Sequence, residues 1–220
     1  MAETATFALI HGGGSTAWDW HLVEPVLRGL GHEVIAVDLP IEDPANGLSE
    51  YADAVVQACG DRPNLVVVAH SWGGLVAPVV CSRIKTELLV FVTAMVPVPG
   101  ESPNDWWAAS GYTDLEPGGE EDVFYNGVPA DLAEECERRA REQAGVRDGE
   151  PSPLDAWPDV PTRFLLCRDD RFFPPAFVRG MVRDRLGIEP DEIDGGHMVA
   201  LSHPRPLAER LHRYWAELQR

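Results

Sequence analysis

Residues 65–74 read LVVVAHSWGG. An apolar run without polar alternation is what a strand covered on both faces looks like. It stops at a histidine, and a serine follows at once. The pattern G-x-S-x-G marks a sharp strand-to-helix turn that lifts a serine Oγ above the end of a sheet. Ala69 stands here for the first glycine and Gly73 for the last. One extra methyl fits such a turn, and the small flanking residues let strand and helix approach closely. Ser71 therefore reads as a nucleophile or as a serine starting an ordinary helix. What else converges on it separates the two readings.

Working outward, six short apolar segments read as strands: 6–11, 33–39, 65–70, 87–93, 162–168 and 188–193. The last is weak and is placed by position. Helical stretches fall between them, at 17–30, 49–59, 72–84, 174–186 and 204–218. Ser49 is a candidate cap for the second, and Gly31 a stop for the first. Prolines open the last two, where the first turn tolerates them. Strand–helix alternation implies an α/β architecture built on a mostly parallel sheet. Residues 96–160 break the alternation with frequent proline and glycine, one helix at about 129–144, and the adjacent Trp106 and Trp107. They read as a lid or cap inserted within a single domain of residues 1–220.

Composition narrows the partners. Eighteen basic against thirty-six acidic residues give a net charge of −18. That field repels phosphate backbones and anionic bilayers, so neither nucleic acid nor a membrane is expected as a partner. The four cysteines (59, 81, 136 and 167) form no C-x-x-C pair, and Cys59, Cys81 and Cys167 read as small core residues. The first residues lack the basic and long apolar regions of a signal peptide. No apolar run approaches the roughly 18 residues of a membrane span. A reduced, cytoplasmic setting is expected, with a small-molecule substrate and homodimer formation left open.

Three segments at strand ends carry reactive groups, and ligands of open α/β sheets bind at those ends. Ser71 is the first. The second is IHGGGSTAW (10–18), a glycine-rich loop able to offer a backbone N–H to an oxyanion; Trp72, after the serine, would offer another. His11 reads as a brace for this loop. The same stretch also fits G-x-G-x-x-A, with Asp38 ending the next strand, so a dinucleotide-binding oxidoreductase is a competing reading. The third is late in the chain: Asp169 and Asp170 follow the fifth strand and His197 the sixth. The order Ser, Asp, His suits a triad in which histidine takes the serine proton and aspartate holds its tautomer. His203, just before PRP, is a rival base with a structural role at a helix start. His70 is expected to point away from its neighbour Ser71. No histidine group has metal-ligand spacing, and neither metal nor cofactor is needed.

These segments together resemble the α/β hydrolases, and within them the plant hydroxynitrile lyase and methylesterase branch with its bacterial esterase relatives. The similar stretches are FALIHGGGSTAWDWHLVEPVLRGLGHEVIAVDLP (7–40), VVVAHSWGGLVAPVV (66–80), FLLCRDDRFFPPAF (164–177) and GGHMVALSHP (195–204). The resemblance implies Ser71 as nucleophile, His197 as base, and Asp170 rather than Asp169 as the third member. It implies Gly13 and Trp72 as oxyanion donors and places strand 6–11 between 33–39 and 65–70. Two departures stand out: Met198 replaces the lyases' lysine beside the histidine, and Gly12 replaces their threonine. A serine esterase acting on a small apolar or aromatic ester through an acyl-enzyme is therefore expected, with Gly12, Trp106, Trp107 and Met198 around the substrate. A lyase or cyclase using the same pocket is the alternative.

Overall fold

A computed structural model describes residues 3–112 and 123–220. Six parallel strands form one sheet: β1 (Thr6–Ile10), β2 (Glu33–Val37), β3 (Leu65–His70), β4 (Leu88–Val92), β5 (Thr162–Cys167) and β6 (Asp191–Ile193). Their order is β2-β1-β3-β4-β5-β6, every pair parallel. The family-implied position of β1 between β2 and β3 is what the sheet shows. Strands β1, β3 and β4 are buried at every residue, which explains their near-continuous apolar content. Edge strand β2 buries only Val34 and Val37, and edge strand β6 is cut to three residues.

Alternate residues of each strand feed two separate cores. Phe7, Leu9, Val66 and Val68 pack with Leu27 of α1 (Glu24–Gly29) and Leu207, Leu211 and Trp215 of α8 (Pro204–Leu218), which follows the short α7 (Val199–Ser202). Ala8, Ile10, Val67 and Ala69 face the other way. They pack against Tyr51 and Val55 of α2 (Leu48–Cys59), Val79 and Val80 of α3 (Ala77–Arg83), and Val178 and Val182 of α6 (Pro175–Leu186). The helices repeat apolar residues three and four positions apart, which gives each one a single sticky side.

Several local expectations are corrected. The stretch 17–30 is not one helix: a 3₁₀ turn at Ala17–Trp20 precedes α1. The helix that a dinucleotide pyrophosphate would need directly after the glycines is therefore missing, and the Asp38 carboxylate instead accepts from the Ala17 amide at 2.7 Å. Helix α2 begins one residue early, because the Glu50 carboxylate reaches back to the Gly47 amide at 2.9 Å; Ser49 lies inside the first turn and accepts from Arg83 instead. Between β4 and β5 lie α4 (Pro103–Ala109) and α5 (Ala130–Arg139). The latter stops short of 144 because residues 141–144 turn onto the loops that follow β1 and β2. Arg141 N–H donates to Gly14 O at 2.7 Å and Ala144 N–H to Ile41 O at 2.8 Å. Among the described residues no helix is long and apolar enough to cross a membrane.

Candidate active site

The sheet reverses its winding between β1 and β3, and a crevice opens at the carboxyl ends of those strands. Ile10 and Ala69 are register partners, so the residues that follow them leave the sheet side by side. Ser71 does so at φ 51°, a left-handed backbone that side chains rarely adopt. The turn closes only because its glycines are bare. A Cβ on Gly73 would lie 2.4 Å from His11 O, and one on Gly74 would lie 2.1 Å from Met95 O. Met95 N–H in turn donates to Ser71 O at 2.9 Å.

Ser71 Oγ is 2.9 Å from His197 Nε2, and His197 Nδ1 is 2.9 Å from Asp170 Oδ2. The carboxylate fixes the proton on Nδ1, which leaves Nε2 to accept from the serine. Asp170 is itself held at both oxygens. Oδ1 accepts the Phe172 and Phe173 amides at 2.9 and 2.8 Å, and Oδ2 also accepts the Thr93 hydroxyl. All three residues of this chain are more than nine-tenths buried. Asp169 points elsewhere: its carboxylate accepts the Gly195 amide at 3.2 Å, bracing the loop before His197. His203 lies at the start of α8, with Nδ1 3.0 Å from Ser202 Oγ.

The glycine loop after β1 runs beside this chain. A Cβ on Gly12 would sit 3.1 Å from Ser71 Cβ, and one on Gly13 3.4 Å from Trp72 Cβ. Neither the Gly13 nor the Trp72 amide donates a hydrogen bond within the protein, among the described residues. His11 braces the loop: Leu39 N–H and Arg141 donate to its Nε2 at 3.1 Å each, so Nδ1–H donates to Gly12 O at 2.7 Å. Burial, assisted by the nearby Arg141 charge, lowers its pKa to about 4.

A cavity of about 570 Å³ joins Gly12, Gly13, Ser71, His197 and Met198. Trp106 and Trp107 are not in its wall. Trp106 is fully buried, with its indole N–H on Val96 O at 2.9 Å, while Trp107 packs on Tyr112, Phe172 and Phe173. The two tryptophans seal α4 onto the core instead of meeting the cavity, because Trp106 falls on the helix's inward face.

Five contributors are not placed at the site by the sequence. His70 lines the cavity beside Ser71 instead of pointing away, because alternation fails where Ser71 leaves the extended conformation. Its Nε2 is 2.9 Å from His197 O, and burial, then the neighbouring His197 charge, lowers its pKa to about 3. It is thus a neutral donor to the carbonyl behind the histidine. Thr93, at φ 38°, holds Asp170; a polar residue closing the apolar strand VFVT was its signal. Phe124 and Phe172 stand edge-on to the His197 ring at 5.5 and 5.0 Å, and Phe124 also lines the cavity. Arg141 ties α5 to the glycine loop, donating to Ser15 O at 2.9 Å and Leu39 O at 3.0 Å. Among the described residues, no group of three or more His, Cys, Asp or Glu side chains could hold a metal ion.

Comparison with known proteins follows the same lines. Residues 7–210 match the model of the alpha/beta hydrolase family. Methylesterase 2 of Arabidopsis thaliana is 26% identical over 93% of this chain and 94% of its own length. Alpha-hydroxynitrile lyase of the same plant is 27% identical over 96% and 97%. The crystal structure of polyneuridine aldehyde esterase superposes with a TM-score of 0.78, covering 96% of this chain and 99% of that one, at 22% identity.

Proposed function

We propose that this chain, which belongs to the alpha/beta hydrolase family, is a serine carboxylesterase acting on a small ester. One observation carries the reading: the unbroken hydrogen-bond chain from Ser71 through His197 to Asp170, opening on the cavity. Relatives named as methylesterases support it at the level of hydrolase chemistry.

The mechanism follows from the atoms. An ester carbonyl in the cavity meets Ser71 Oγ as His197 Nε2 removes its proton. Asp170 stabilises the imidazolium by the bond it already makes to Nδ1. The amides of Gly13 and Trp72, with their donors uncommitted, receive the oxyanion; each such donor contributes about 3–4 kcal/mol of transition-state stabilisation. His197 then protonates the leaving alkoxide, and water repeats the sequence to free the acid. Residues 113–122 of the 96–160 lid lie outside the described residues; within the rest, α5 and Arg141 rather than the tryptophan pair form the wall over the cavity. The cysteines present are free thiols, which supports the cytoplasmic setting.

The test is a serine-directed fluorophosphonate followed by peptide mapping. Adduct on Ser71, with loss of ester hydrolysis in proportion, is expected; folded protein that remains unlabelled overturns the reading. A relative named as a lyase favours a second reading, non-hydrolytic chemistry in the same pocket. It separates cleanly, because Ser71→Ala would then retain product formation on the true substrate.

A further inference from the structure

A second polar group faces the same cavity and has no part in the proposed hydrolysis. Asp19, on the 3₁₀ turn after the glycine loop, is 2% exposed yet lines the cavity with Ser15, Tyr125 and Cys136. The Ser15 hydroxyl donates to Oδ2, and the Cys136 thiol lies 3.4 Å from Oδ1. A carboxylate oxygen can accept two donors, so both oxygens keep acceptor capacity. Burial raises the Asp19 pKa; the hydrogen bonds from Ser15 and Cys136 and then the His21 charge oppose the rise, and Asp38 adds to it. Burial, then Asp19 itself, lifts the Cys136 thiol to about 12, so that thiol stays a protonated donor. Among the described residues, the arginine in the wall, Arg141, is committed elsewhere: to the carbonyls of Leu39 and Ser15, to His11, and to Asp38 and Glu42 at 3.7 and 3.8 Å.

A buried carboxylate without a cation is costly to maintain, and a ligand that brings the cation removes the cost. We propose that Asp19 is the recognition point for a protonated amine, so that the ester cleaved at Ser71 carries an ammonium group. An ammonium offers a full charge and three donors; a hydroxyl offers one donor and no charge. Met198, Tyr125 and Cys136 line the cavity and belong to one apolar cluster with Leu201 and Trp18 behind them, which suits the hydrocarbon joining the amine to the ester. The net charge of −18 also favours arrival of a cation. This inference rests on the esterase reading and narrows its substrate class.

The experiment compares ω-aminoalkyl, ω-hydroxyalkyl and alkyl esters over a series of chain lengths, in the native protein, Asp19→Asn and Asp19→Glu. In the native protein, kcat/KM for the best aminoalkyl ester should exceed that of its alkyl isostere by about tenfold or more, chiefly through KM. Asp19→Asn should cut that ratio to within about twofold, and Asp19→Glu should restore most of it. An equal or greater preference for the hydroxyalkyl ester, or a ratio unchanged in Asp19→Asn, overturns the proposal. Calorimetric binding of the matching aminoalkyl and alkyl amides to Ser71→Ala reads the subsite without turnover. Amine preference there, with no ester hydrolysed by the native protein, would sink the esterase reading alone. Turnover of esters with no amine preference in either assay would sink the subsite alone.

Discussion

Ser71 at φ 51° and Thr93 at φ 38° hold conformations that cost about 1–3 kcal/mol each, and both sit where the site needs a side chain re-aimed. Removing the proposed nucleophile in Ser71→Ala should cut kcat for ester hydrolysis by roughly 10⁶ while leaving the thermal midpoint nearly unchanged. Asp170→Asn should cost about 10⁴, because the amide no longer fixes the histidine tautomer. Asp169→Asn, altering one bond to the Gly195 amide, should stay within about tenfold of native kcat. Equal losses in the two asparagine variants would contradict the assignment. The buried histidines set an acid limit on stability. His11 and His70 titrate near 4 and 3 in the folded protein but near 6.5 when unfolded. The unfolded chain therefore binds more protons between those values. Their contribution is complete above pH 6.5 and is lost as pH falls from 6.5 toward 4 and 3. Urea midpoints should drop across that range, and drop less steeply in His70→Gln.

At the scale of elements, glycine placement separates positions that tolerate a methyl from those that do not. Gly73→Ala and Gly74→Ala each drive a Cβ into a backbone carbonyl, and each should lose about 2 kcal/mol or more in urea unfolding. Gly180 lies inside α6 with nothing within 4 Å of the added atom, so Gly180→Ala should gain about 0.5–1 kcal/mol. The strands were legible because doubly covered parallel strands announce themselves as apolar runs, and the strand–serine–glycine turn is a local pattern; the place of β1 between β2 and β3 was implied by the family resemblance alone. The relation of Ser71 to His197, 126 residues apart, was legible only as chain order at strand ends. The tryptophans lie off the cavity, a choice the sequence does not make because aromatic pairs serve packing and pockets alike; only the helix phase of Trp106 decides between them. His70 was misread because strand alternation was carried one residue past the point where it holds. Arg141 left no local signal, since its partners, Ser15 and Leu39, come from loops over 100 residues away.

At the scale of the whole molecule, charge is the dominant asymmetry. An excess of eighteen negative charges self-repels, and many surface ion pairs, such as Arg168 with Glu192 and Arg183 with Glu189, offset it only locally. Raising NaCl from about 0.01 M to about 0.3 M shortens the screening length from ~30 Å to well under 10 Å. The thermal midpoint should rise with salt; a fall would mean that the ion pairs outweigh the net repulsion. The seat of Arg141 has a different consequence at this scale. Its bonds to Ser15, Leu39 and His11 fasten the chain where it returns from α5, so the cavity wall upstream and the sheet downstream meet at one anchored seam. A graft that replaces α5 but keeps Arg141 through Ala144 would exchange the wall that meets the ligand and leave the bond-breaking groups in register. The molecule is in that sense a chassis with a replaceable faceplate, and selectivity can drift along one short stretch without the chemistry having to be rebuilt.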